Sequence, residues 1–343
     1  MAETICTITT GTEAGHQAVY LDSDVLHLTV LVSKGADIYR FIHKPSGLDF
    51  LWKNPVGLWP PGAPPHDGSG GFGFLENYEG TWQELFPSAN DPTIYQGREI
   101  PFHGEVALLA WTWQIVTETP DEIAVRFSVE TRQTTFRLER LMHLRRGEAR
   151  LTLEETVTNI GPDTQHFVWG HHCVVGGPWL EAGCVLDLPA RTITTIEQIY
   201  EEKTARLAPG QHSAWPMAAG RTGEAIDLST IPGPEAHSHD DVYLTDLTAG
   251  FAAVRNPRLG LGFRLTWDPA VFRWIISWQP YGGAEAAPFK GLAYAVGIEP
   301  WISQKPLGAA AAAGEARALN PGETFTTMLT AEIEGSAGAR DGI

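Results

Sequence analysis

Apolar and polar side chains alternate along this chain in short runs of four to twelve residues. Each run is rich in β-branched and aromatic residues and is bounded by Gly, Pro, Asn or Asp. The clearest is LTLEETVTN at 151–159, where the period of two is that of a half-buried strand. Similar runs predict strands over Val25–Val32, Glu105–Val116, Glu122–Val129, Thr135–Leu144, Ala149–Thr158, Phe251–Val254, Gly262–Trp267 and Phe325–Ile333. A period of 3.6 is rarely sustained, and helix is expected only in brief pieces such as Thr81–Leu85. The pattern predicts an all-β protein built from antiparallel strands.

Three stretches interrupt it. Residues 54–74 are dense in Pro and Gly and predict a long loop, 207–239 form a milder version, and the Ala-rich stretch from Ala309 reads as a surface excursion. None separates halves of different composition, and no repeat of 20 to 50 residues is evident, so residues 1–343 are read as one domain.

Composition narrows the function classes. Twelve Trp and 14 Phe in 343 residues are enough for a large core without disulfide staples. A net charge of -17 with no cluster of Lys or Arg argues against nucleic acid and anionic membranes as partners. No apolar run reaches the length of a membrane-spanning helix, and the N-terminus lacks the basic and apolar regions of a signal peptide. Three cysteines, Cys6, Cys173 and Cys184, form no CxxC pair, which fits a reducing cytoplasm better than a disulfide framework or zinc site. The motifs GxSxG, GxxxxGK[ST] and HExxH are absent from the sequence, which leaves acid–base chemistry by His and carboxylates.

Three segments carry residues suited to that chemistry. FHGE at 102–105 sets His103 beside a glycine, where backbone can approach a ligand. GHHC at 170–173 places His171 and His172 in an apolar strand, where period two sends them to opposite faces. GIEPW at 297–301 holds Glu299 in an apolar run without a neighbouring Lys or Arg, which should raise its pKa toward that of a base working near neutrality. Two further segments are candidate site walls. In GTWQELFPSAN at 80–90, Trp82 stands with Gln83, Glu84 and Asn90; in AHSHDDVY, an Asp would reach a ligand hydroxyl, or His237 and His239 would hold a metal ion. Trp278 is among several aromatics near these segments that could stack on a sugar ring.

Taken together and in this order, the segments resemble the aldose 1-epimerase (galactose mutarotase-like) family. GADIYRFIHKPSGLDFLW resembles its opening strands, FHGE its LHGG, ETVTNIGPDTQHFVWGHHCVVGGP its TNxG…HxYF stretch, and GIEP its catalytic Glu-Pro. The resemblance runs from about residue 20 to residue 335. It implies a large antiparallel β-sandwich (supersandwich) and an isomerase that interconverts the anomers of a sugar without metal or organic cofactor, as a monomer or homodimer. It assigns Glu299 as base, His172 as acid and His103 as a helper near the ring oxygen. Asp240 would bind a sugar hydroxyl, with Asp241 as the neighbouring alternative, and His171, Trp82, Gln83, Glu105 and Trp278 would complete the substrate site. Two departures bear on the substrate: Val174 and Val175 replace an aromatic pair, and Glu105 stands where a small residue is usual. Arg98 is the nearest counterpart of an arginine that often precedes the HG motif. A lyase or isomerase of a modified or oxidised sugar, or a non-catalytic carbohydrate-binding module, are the competing readings.

Overall fold

The computed structural model describes residues 6–61 and 73–335. The middle of the predicted 54–74 loop therefore lies outside the described residues. Two large antiparallel sheets face each other. One has eight strands in the order Val185–Asp187, Phe251–Asn256, Leu261–Trp267, Thr324–Glu334, Arg150–Asn159, Phe136–Arg145, Glu122–Glu130 and Thr112–Glu118. The other has 13 strands. Five of these position the site, and we label them β1 (Trp82–Leu85), β2 (Gly170–Gly176), β3 (Ser238–Thr245), β4 (Trp274–Tyr281) and β5 (Glu299–Trp301). Their spatial order is β1-β2-β5-β4-β3, so residues from distant parts of the sequence become lateral neighbours. Such a pair of packed sheets is the large antiparallel β-sandwich that the resemblance implied.

Apart from Glu105–Val116, the predicted strands recur with ends shifted by a residue or two, and the core lies between the sheets. Phe263 meets Phe41 edge-on at 5.3 Å, and Phe86 meets Phe136 at 5.2 Å, so rings from the two sheets interdigitate. Arg150–Asn159 alternates as expected, with Leu151, Leu153 and Val157 fully buried.

Three local expectations fail for physical reasons. Thr81–Leu85 is strand, not helix: Trp82–Leu85 pairs with Gly170–Cys173, and all four side chains are buried, which a single helical turn could not achieve. The Glu105–Val116 strand begins only at Thr112, because Phe86 O accepts from the N–H groups of both Glu105 and Val106 and a 3-10 turn, Val106–Leu108, follows. The Ala-rich stretch is not a surface excursion throughout. It opens with a helix, Leu307–Ala312, that buries Leu307 and Ala310.

Candidate active site

Sheet register builds the site. Gly170 of β2 lies opposite Trp301 of β5, so two residues along each strand His172 comes level with Glu299. Glu299 in turn lies opposite Ile276 of β4, and Ile276 opposite Tyr243 of β3. His172, Glu299, Ile276 and Tyr243 thus form one row across four strands. The adjacent row holds Trp278 opposite Asp241. Because side chains alternate, all of these project from the same face of the sheet. That face is the floor of a cavity of about 360 Å³, within the range of small-molecule sites. Phe74, Phe102, Phe289, Tyr200 and Trp301 are among its walls.

Of the residues chosen from sequence, the cavity brings together Asn90, His103, His172, Trp278 and Glu299, with Asp241 as the alternative to Asp240. His172 Nε2 stands 3.6 Å from Glu299 Oε1, and Tyr78 Oη lies 3.4 Å from His172 Nδ1. Burial keeps the Tyr78 hydroxyl protonated by raising its pKa, with the Glu299 carboxylate adding to the effect. It can therefore donate to Nδ1 and leave Nε2 to face Glu299. Glu299 is 2% exposed, and its Oε1 has no hydrogen-bond partner among the described residues. Burial pushes its pKa well up, and Asp241 pushes it further. Burial also lowers His172 to about 3. Burial therefore favours a neutral carboxyl beside a neutral imidazole.

His103 reaches the cavity from a left-handed turn. It has φ +61, unusual for a residue other than glycine, and the strain is held by reciprocal bonds with Asn90. His103 N donates to Asn90 O at 2.9 Å, while Asn90 N donates to His103 Nδ1 at 3.1 Å. Accepting at Nδ1 places the neutral ring's proton on Nε2. Burial, and then His172, hold its pKa well below the usual histidine range. The following Gly104 is also left-handed, and a Cβ there would collide with the Phe86 carbonyl, which is why a glycine follows His103.

Glycine has a second use at Gly297. A Cβ built there would overlap Glu299 Oε1 and lie 3.1 Å from Trp278 Cβ. The missing side chain is thus the space the Glu299 carboxylate occupies. Gly297→Ala is expected to swing that carboxylate away at a modest cost in stability, and to lower the kcat of any reaction that uses it by about 100-fold. A steady-state assay beside a melting curve checks this, and unchanged kcat would remove Gly297 from the design.

Five of the sequence choices do not line the cavity. Asp240 points away from it with Val242 and Leu244, accepting from Arg206 Nε at 2.6 Å and from the backbone N–H groups of Arg206 and Leu207. Asp241, His239 and Tyr243, on the other face of β3, take the cavity side instead. His171 and Trp82 face the space between the sheets, with Trp82 Nε1 3.3 Å from His171 Nδ1. There His171 joins a buried group in which Arg140 lies 2.7 Å from Glu84 and 3.2 Å from Glu155. His171 Nε2 is 3.1 Å from Glu155 Oε2. Burial opposes the charge on His171, but the two carboxylates outweigh it and raise its pKa. Gln83 shares a face with His172 but is covered by the Glu79–Thr81 turn, donating to Glu79, Gly80 and Thr81. Glu105 binds the N–H groups of Arg132 and Gln133, anchoring a turn. Arg98 likewise stands apart, on the Gln133 carbonyl.

His237 and His239 do not form the metal pair that their spacing offered. His237 is exposed and pairs with Glu285 at 3.1 Å, whereas His239 lines the cavity and accepts the Trp278 indole N–H at Nε2, 2.7 Å away. That bond assigns the neutral ring's proton to Nδ1, which has no partner among the described residues.

Comparisons with known proteins agree on the architecture. A protein of Klebsiella pneumoniae subsp. pneumoniae MGH 78578, provisionally designated an aldose 1-epimerase, superposes with TM-score 0.72 at 18% identity, over 93% of this chain and 79% of that one. The Slr1438 protein of Synechocystis sp. PCC 6803 gives 0.65 at 16% identity, over 98% and 99%. A galactose mutarotase-like protein of Clostridium acetobutylicum gives 0.64 at 13% identity, over 97% and 100%. At these identities the likeness shows the fold: this is a galactose mutarotase-like β-sandwich with a histidine–carboxyl cavity on one sheet. Within that class, residues 13–333 match the model of the family described as a domain of unknown function, DUF4432, and the chain belongs to that family. No curated protein sequence matches it.

Proposed function

We propose that the chain, as one sandwich domain, is an aldose 1-epimerase-like isomerase that interconverts the anomers of a sugar held between Glu299, His172 and His103. The observation that carries the reading is the His172–Glu299 pair, side by side at 3.6 Å on a cavity floor. Glu299, as carboxylate, takes the proton of the anomeric hydroxyl while His172, as imidazolium, gives its proton to the ring oxygen. The C1–O5 bond breaks, leaving an open-chain aldehyde between a neutral carboxyl and a neutral imidazole. The aldehyde turns about C1–C2, and the reverse proton transfers close the ring on its other face. No proton is gained or lost.

The electrostatics suit this cycle. The neutral pair that burial favours is the arrangement left after ring opening, so burial stabilises the intermediate relative to the charged pair. Hydrogen bonds from sugar hydroxyls would offset the cost of burying the carboxylate–imidazolium form. His103 Nε2–H would donate near the ring oxygen, and Trp278 would pack against the ring.

A non-catalytic module has no need of an acid and a base in contact. A lyase or isomerase of an oxidised sugar would bring a carboxylate into a cavity already lined by Asp91, Glu201, Asp241 and Glu299. We also place the protein in the cytoplasm, a reading supported by three free, buried cysteines. No helix among the described residues is long and apolar enough to cross a membrane.

Exchange NMR between the α and β anomers of a panel of aldoses tests the reaction. Acceleration is expected over a broad pH plateau, since the pair keeps one proton between the depressed pKa of His172, about 3, and the raised pKa of Glu299. Activity should fall as pH rises through the latter. No acceleration of any aldose would refute the proposal, and a product of altered mass or new ultraviolet absorbance would favour a lyase.

A further inference from the structure

The proposed chemistry leaves one wall of the cavity unused. Asp241 of β3 projects into it two strands from Glu299, about 10 Å between backbones. Asp91 lines the cavity as well, and the phenols of Tyr200 and Tyr243 are both raised by the charges of Asp241 and Asp91 after the effect of burial. Two carboxyls, two tyrosines and Trp278, opposite Asp241 on β4, therefore surround one end of the cavity.

Among the described residues, this end has no Lys or Arg counterpart, and neither residue type lines the rest of the cavity. The nearest basic group to Asp241 in the site is His239, at 3.7 Å, and its Nε2 is already occupied by the Trp278 indole N–H. Arg206 is committed to Asp240 on the opposite face of β3. The Asp241 side chain is only 16% exposed. Burial and Asp240 lift its pKa to about 7, as happens to a carboxyl without a compensating cation. At the other end, the buried Glu299 carboxyl oxygen Oε1 faces His172 at 3.6 Å and has no hydrogen-bond partner among the described residues. A carboxyl among aromatic faces is a combination that recognises an ammonium group, by charge pairing and by cation–π contact.

The geometry points to a subsite for a protonated amine between Asp241 and Asp91, and hence to an amino sugar as the substrate class. The inference takes from the proposed function only the expectation that the ligand is a sugar. Phosphorylated and carboxylated sugars are rejected by the same wall, and a neutral sugar leaves Asp241 unpaired.

Calorimetric titration of the full chain at pH 6.5 with glucosamine, glucose, glucuronate and 1-amino-1-deoxyglucitol tests it. The last has the amine but no ring and no anomeric centre, so its binding is independent of whether the protein is an anomerase, which exchange NMR on glucose reports separately. Both amines should bind at least about 10-fold more tightly than glucose, with glucuronate weakest. Added salt should erode the preference. Asp241→Asn should bring the amine-to-glucose ratio near one, and Asp91→Asn, at the exposed rim, should reduce it in a protein whose core is untouched. Equal binding of amine and glucose, or no amine binding at all, would overturn the inference. So would a ratio unchanged in both variants.

Discussion

Glu299→Gln is expected to lower the anomerisation rate by roughly 100- to 10,000-fold, the range attributable to one positioned acid–base group, while leaving the fold intact. The amide keeps the shape of the carboxyl beside His172 but cannot accept the anomeric proton. Stability supplies a second readout. Glu299 has a folded-state pKa raised well above its ordinary value, so between the unfolded and folded values the native state holds the extra proton. Its contribution to stability is full below the unfolded pKa and is lost as pH rises through the folded one. The glutamine variant has no such loss, so its melting temperature relative to wild type should climb with pH. A variant both inactive and progressively less stable toward alkaline pH would make Glu299 a structural residue instead.

How far the site could be read from sequence depends on whether period two had contrast to work with. In SHDDVYLT, Val242 and Leu244 mark the core-facing positions, so Asp240 belongs with them and His239, Asp241 and Tyr243 belong together on the other side. That signal was available and favoured Asp241 over Asp240. In GHHCVVG all seven residues are buried, since β2 is covered on both faces, and alternation could not say which histidine meets the cavity. Motif register pointed to His172. Glu299 stood out because it is a lone carboxylate in an apolar run, and its partner His172 lies more than 120 residues away in sequence, beyond any local pattern. The role of Asn90 in holding His103, and that of Gly297 in making room for Glu299, come from register and turn geometry that no spacing reveals. Trp82, Gln83 and Glu105 misled for one common reason: polar or aromatic residues near a site motif were satisfied by buried backbone and side-chain partners behind it.

The largest stability effect should come from that buried layer. Arg140 is 2% exposed and joins Glu84 and Glu155 while donating to the Ala36 carbonyl at 2.9 Å. Arg140→Met leaves two carboxylates in the interior without their cation, and breaking such a group costs about 3–5 kcal/mol. The cost should depend on pH with a definite sign. Burial and Glu155 already raise Glu84 to about 7, whereas in the intact group Glu155 is lowered, burial being outweighed by His171 and Arg140. Without Arg140, the folded-state values of both carboxyls rise, so stability is lost as pH increases and the deficit in urea denaturation should be smaller at pH 5 than at pH 8. Replacing Glu84 and Glu155 by Gln together with Arg140→Met removes the stranded charges and should recover most of the loss. An Arg140→Met protein as stable as wild type at pH 8 would show that His171 and solvent suffice to hold the pair. Because His171 belongs to this layer and not to the cavity, the penalty should appear in unfolding free energy, with the rate per folded molecule nearly unchanged. A rate loss beyond about 10-fold would mean that the layer behind β2 also sets the position of His172.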